Sequence, residues 1–228
     1  ADSIVFEKYS PTSGTFNGIH FQNAPGTAVD TSYVVNTIVR NVEGCKSGSL
    51  ACAALSADNR HVLILDSTRV DSASQAGVAL AASGSRISRS IIHRAGNTSS
   101  RAALHLGGGT FAESTTVAFA RGVGVEVNGG LNVLADTIRL RALTILYSGG
   151  VGLKPEGGSI VGESRSVVAS GNAYAYRGYL DNFAAIARDS TAQKNLLGNV
   201  QDLVVILGRP ERPFRGRVAL GLPDTAKV

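Results

Sequence analysis

Apolar and polar residues alternate along this chain in short stretches that are broken repeatedly by Gly, Ser and Asn. Alternation at every second position puts one set of side chains on each face of an extended strand, so the pattern predicts short strands joined by tight turns. Six stretches share one layout, a short strand, a small polar turn and a second short strand. They are GIHFQNAPGTAV, CAALSADNRHVLIL, GVALAASGSRISRSII, ALHLGGGTFAESTTV, VEVNGGLNVLADTI and VGLKPEGGSIVGESRSV. Their first inward apolar residues, Ile19, Ala53, Val78, Leu104, Val125 and Val151, lie 34, 25, 26, 21 and 26 residues apart. The last four intervals average about 24.5 residues, and the long first one contains a cysteine loop that reads as an insertion.

A period in the low to middle twenties suits a leucine-rich repeat or the coil of a β-helix. Leucine-rich repeats require Leu at fixed offsets with an Asn ladder and a helical return, and this chain lacks that motif. Small residues recur at the turns instead: Ser56 to Asn59, Ala82 to Ser85, Gly107 to Thr110, Asn128 to Gly130 and Glu156 to Ser159. Gly and Asn tolerate the left-handed backbone of a sharp corner, and corners at matching places let coils stack. Inside such a stack the pattern places Val133, Ile138 and Leu140 in register with Ile87 and Ile91, Phe111 and Val117, and Ile160 and Val167.

On this coil layout, from Gly18 to Gly171, the sequence resembles the pectate-lyase-like right-handed parallel β-helix superfamily. The expected fold is therefore all-β, a right-handed parallel β-helix of about six coils. The coils occupy residues 1–171, with a disulfide-loop insertion at 42–53, and residues 172–228 form a capping segment, a strand and a basic arm. A solenoid needs covered ends, because a terminal coil otherwise exposes a core cross-section and unpaired strand edges. AAIARDSTAQKNLL predicts a short C-terminal helix or an irregular cap. VQDLVVILG reads as a strand apolar on both faces, which wants burial on both sides, against the solenoid or against another subunit.

Composition supports a stack of repeats. Hydrophobic residues make up 43%, mostly Ala, Val, Leu and Ile, with 27 Gly, 7 Phe, 6 Tyr and no Trp. With few large anchors, the apolar surface must be buried through many small, regularly spaced side chains. No run approaches the length that spans a bilayer, so membrane insertion is not expected. The chain starts at Ala1 and contains no Met, and no basic segment precedes an apolar one. The expectation is a secreted protein whose signal peptide has been removed. Cys45 and Cys52 sit in GCKSGSLAC, where a disulfide fits an oxidising compartment, although two unrelated thiols fit the sequence as well.

The 22 Lys and Arg exceed 17 Asp and Glu, giving +5, but the basic residues are scattered singly and not interleaved with aromatics, which argues against nucleic acid. They concentrate in GRPERPFRGR, where Arg209, Arg212, Arg215 and Arg217 form either a solvated arm or a docking arm for an acidic surface. On the outward face of the first strand in each coil stand His20, Ala54, Ala79, His105, Glu126 and Gly152, with Lys154 close by. His105 and Glu126 would then be neighbours one coil apart, an arrangement open to acid–base chemistry and equally to an incidental surface pair.

The superfamily's lyases use a Lys or Arg base, with acidic residues holding calcium or an Arg neutralising the substrate carboxylate. Arg139 and Arg141 alternate outward beside Ile138 and Leu140 and are candidates to contact uronate, or a partner, but no acidic cluster accompanies them. Asp136, Glu113 and Glu163 stand at comparable places in their coils, the residue type a glycosidase needs, and single carboxylates there also serve turns. Gly-rich GGGT and VNGG lack the strand-to-helix setting of a phosphate cradle, and GESRS lacks the second glycine of a hydrolase elbow. NTS at Asn97 matches a glycosylation acceptor, and the four His are too dispersed for a metal centre. No catalytic residues, metal or cofactor are assigned. The leading expectation is a structural or adhesive extracellular subunit that assembles with copies of itself through its terminal segments. The alternative is a lyase or binding module for acidic polysaccharide.

Overall fold

A computed structural model describes residues 3–8, 15–23, 28–43, 53–96, 101–128, 138–156, 162–165, 167–170, 174–176 and 203–205. The strands follow one another in threes. They are β1 (Ile4–Glu7), β2 (Ile19–Phe21) and β3 (Asp30–Val35), then β4 (Thr37–Val42), β5 (Leu55–Ala57) and β6 (His61–Asp66). Next come β7 (Arg69–Ala73), β8 (Val78–Leu80) and β9 (Arg86–Ser88), then β10 (Ile91–His93), β11 (Leu104–Leu106) and β12 (Phe111–Glu113). They continue with β13 (Thr116–Ala118), β14 (Val125–Asn128) and β15 (Ile138–Arg141), then β16 (Thr144–Leu146), β17 (Val151–Glu156) and β18 (Gly162–Arg165). Last are β19 (Val167–Ser170), β20 (Tyr174–Tyr176) and β21 (Leu203–Val205).

Every third strand joins the same sheet, and all pairings are parallel. The first sheet runs β1-β4-β7-β10-β13-β16-β19-β21, the second β2-β5-β8-β11-β14-β17-β20 and the third β3-β6-β9-β12-β15-β18. The described region is thus all-β, three parallel sheets of stacked strands consistent with a β-solenoid. No helix occurs among the described residues, and the expected cap helix lies outside them.

The sheets enclose one core, filled by a column of aliphatic side chains from each. The first sheet supplies Val39, Val70, Ile92, Val117 and Ile145 in register. Leu55, Val78, Leu104, Val125 and Leu153 come from the second, and Leu65, Ile87, Ala112 and Leu140 from the third. All of these residues are buried. Their size explains the composition: three converging columns leave little room at the axis for aromatics.

Several sequence expectations shift. Each coil carries three strands, not two, because the stretch read as one second strand bends at a corner into the first sheet. That corner turns the alternation over, so Ile92 and Ala112 point inward while Ile91 is exposed and Phe111 lies on the outer face. The registered anchors of the second sheet are Leu55 and Leu153 where Ala53 and Val151 were expected, giving intervals of 36, 23, 26, 21 and 28 residues. Val133 and Ile160 lie outside the described residues, as do Cys45 and Cys52.

The corner between the third and first sheets has one construction throughout. Asn36, Ser67, Arg89, Ser114 and Ala142 adopt positive φ between 47° and 50°. A non-glycine residue there costs roughly 1–2 kcal/mol. The neighbouring coil offsets this, since the amide N–H groups of Asn36, Ser67, Arg89 and Ser114 donate to carbonyls of Asp66, Ser88, Glu113 and Arg141 at 2.9–3.1 Å. After the first four of these the following residue is Thr37, Thr68, Ser90 or Thr115, and after Ala142 it is Leu143. Each hydroxyl donates back to the carbonyl two residues earlier, at 2.6–3.2 Å.

The first coil is unlike the middle of the stack. In the first coil Ile4 is 60% exposed, Phe6 40% and Tyr33 72%, and Val5, Val29 and Val35 are exposed as well. Phe16, Ile19, Phe21 and Val34 are partly buried and pack onto the core from this end.

Candidate functional site

Four outward columns carry the polar chemistry. In the second sheet, strand register lines up His20, Ser56, Ala79, His105, Glu126 and Lys154. Ser56 and Lys154 therefore take the places expected for Ala54 and Gly152. His105 and Glu126 are neighbours, with Nδ1 2.9 Å from Oε1, and Lys154 Nζ lies 3.8 Å from Glu126 Oε2. At the other end of the column His20 Nδ1 lies 2.9 Å from Ser56 Oγ. His105 and Glu126 are buried although they sit on the outer face, as are Ser56 and Ala79. A His, a carboxylate and a Lys in line can relay a proton, and the same geometry satisfies three polar groups on a crowded face.

In the third sheet, two columns run side by side. One holds Tyr33, Ile64, Arg86, Phe111 and Arg139. The other holds Val35, Asp66, Ser88, Glu113 and Arg141. Arg139 and Arg141 are exposed here, in the alternation expected from the sequence. Glu113 bridges coils on both sides, 2.6 Å from Arg86 Nη2 and 3.7 Å from Arg141 Nη1. The Arg86 guanidinium also lies 5.0 Å from the centre of the Phe111 ring, a cation–π contact. Asp66 accepts hydrogen bonds from Arg89 and, at 2.8 Å, from the Ser88 hydroxyl. Burial pushes the Asp66 carboxyl up, but these hydrogen bonds and the Arg89 charge outweigh it and hold the pKa below the usual Asp range. Four arginines thus share one face with two carboxylates.

In the first sheet the outward column is Glu7, Arg40, Asp71, His93, Ala118 and Leu146. Charge alternates along it: Arg40 pairs with Glu7, and Asp71 takes His93 Nδ1 at 2.9 Å and Arg69 Nη2 at 3.0 Å. The hydrogen bond from Arg40 lowers the Glu7 pKa and raises that of Arg40. Burial raises Asp71, yet the bonds from His93 and Arg69 prevail and lower it. Next to His93 the exposed corner carries Phe119 and Tyr147, both at positive φ. Phe119 stands edge-on to His93 at 5.3 Å and stacks on Tyr147 at 5.1 Å, leaving the two rings 49% and 54% exposed. Sequence reading missed this ring stack, whose signal is an aromatic directly after a threonine and two apolar residues in two successive coils, TVAF and TILY.

The remaining sequence candidates do not gather into one site. Of the three carboxylates, Glu113 belongs to the arginine ladder, Glu163 pairs with Arg139 by strand register and Asp136 lies outside the described residues. Arg209, Arg212, Arg215 and Arg217 lie outside them too. His61 joins Asn23 Oδ1 at 2.6 Å and Ser32 Oγ at 2.8 Å, so it ties two coils together. Among the described residues no group of three or more His, Cys, Asp or Glu could hold a metal. No protein-family model, curated protein or solved structure matches the chain.

Proposed function

We propose that this chain is a secreted structural or adhesive protein, a right-handed parallel β-helix that assembles with copies of itself into an extracellular filament or surface layer through its terminal segments. One observation carries the reading. The first coil leaves the inward-facing Ile4 and Phe6 exposed at a strand edge, while the counterparts of Phe6 in later coils, Val39, Val70 and Ile92, are sealed. An edge of this kind is a template for pairing with another chain, and a soluble monomer gains nothing from it. The outward columns fit the same role, because ion pairs between coils stiffen a brick.

Sedimentation velocity over a wide concentration range, with the full chain and with residues 200–228 removed, tests the proposal. Assembly that grows with concentration and weakens on truncation supports it, and a full-length monomer at every concentration overturns it.

A second reading rests on Arg86, Arg89, Arg139 and Arg141, which crowd one outer face with a net positive charge over Asp66 and Glu113. Such a face suits an acidic polysaccharide, as ligand or as lyase substrate. Absorbance of unsaturated products on pectate, alginate and glycosaminoglycans, together with binding to the same polymers, tests it.

A further inference from the structure

The first sheet has two free edges among the described residues, β1 and β21. Their sequences are Ile-Val-Phe-Glu and Leu-Val-Val, each apolar at three successive positions. A single register runs between them through eight strands. Val5 begins a column that passes Ile38, Arg69, Ile91, Thr116, Thr144 and Val168 and ends at Val204. Phe6 begins the inward column of Val39, Val70, Ile92, Val117 and Ile145, and the strand register continues from it to Ala169 and Val205.

From this we infer that the partner of β1 is β21 of a second copy, joined parallel with Val5 beside Val204 and Phe6 beside Val205. The inference rests on the self-assembly proposed above and specifies its polarity. Two arguments select this mate. Translation by one strand spacing of about 4.8 Å continues every hydrogen-bonded ladder of the first sheet without a change of strand direction. It also lays Phe6 along the aliphatic column, so the ring that the first coil leaves exposed becomes one more rung of the core. Pairing β1 with β1 across a two-fold axis would instead be antiparallel and break that column. A β1-to-β21 contact joins different surfaces, so each added copy presents a fresh edge, and the assembly grows as an open filament.

The test uses Val5→Cys and Val204→Cys, made separately in chains carrying Cys45→Ser and Cys52→Ser. Mixed under mild oxidation, the two variants form one covalent heterodimer on a non-reducing gel, each alone forms none, and a chain bearing both gives a covalent ladder. Covalent dimers from Val5→Cys alone overturn the inference, and so does assembly without a mixed cross-link; either result leaves self-assembly standing. Monomers throughout remove both proposals. Val5→Glu and Val204→Lys repeat the test with the native cysteines in place. Each alone weakens association at least about tenfold, about 1.4 kcal/mol, and mixing the two restores it, whereas no restoration on mixing rejects the register.

Discussion

Leu104 and Phe6 are both inward residues of the same kind of stack, yet one is sealed and the other is 40% exposed. Leu104 has Val78 beneath it and Val125 above, while Phe6 has only Val39 as a rung. The difference lies in neither residue. In a stack where each coil touches only its neighbours, burial is conferred by the coils on either side, so the same hydrophobic pattern yields core in the middle and an exposed edge at the end.

Substitution separates the two regions most sharply. Leu104→Ala leaves a cavity among residues that cannot collapse, and should cost about 2–5 kcal/mol in denaturant unfolding. Phe6→Ala should cost the monomer well under that, and should be felt mainly as lost association in sedimentation. Equal losses of monomer stability would show that the first coil is as well anchored as the middle. A smaller effect probes how tightly the middle coils press together. A Cβ at Gly124 would stand 2.6 Å from Ser148 Oγ and 2.7 Å from both the Gly152 carbonyl oxygen and Ile145 Cγ2. Gly124→Ala should therefore cost about 1–3 kcal/mol by overpacking.

Smaller still is a change at the corners. Ala142 is exposed at φ 49°, and Ala142→Gly should stabilise the fold by up to about 1 kcal/mol in denaturant unfolding, strain relief winning narrowly over the entropy of an added glycine. The least effect comes from acid. Glu7 and Asp71 both have lowered pKa values, so their contribution to stability is complete above the ordinary carboxylate range near pH 4 and fades as pH falls through the depressed values. Hydrogen exchange below pH 4 should show β1 losing protection before β10, because the Glu7 to Arg40 pair joins an exposed strand to a single neighbour.

How much of this was legible in the sequence follows from the corners. The turn between the second and third sheets was readable because it is written in Gly, Asn and Ser, as in ADNR and SGS. The turn into the first sheet was not, because Arg89 and Ala142 occupy left-handed positions that glycine usually marks. A ladder of hydrogen bonds from the next coil supports this corner, and a single sequence does not reveal it. A weaker signal was available: Asn36-Thr37, Ser67-Thr68, Arg89-Ser90 and Ser114-Thr115 recur once per coil, each with a hydroxyl second. Reading that pair as a corner would have turned the alternation over and placed Ile92, not Ile91, in the core. His105 beside Glu126 was predictable because the second sheet has no such break between its columns. The Phe119 and Tyr147 stack was not, because it depends on two corners lying one above the other.

The outward column of Glu7, Arg40, Asp71 and His93 has a mechanical consequence. A pull along the long axis loads the hydrogen bonds between coils in their weakest direction, so the coils peel away in succession rather than together. Ion pairs that bridge successive coils act as rivets across those seams, and the most exposed seam, at β1 and β4, carries two, Glu7 to Arg40 and Lys8 to Glu43. Under tension that seam should open first, because β1 is exposed and joined to a single neighbour.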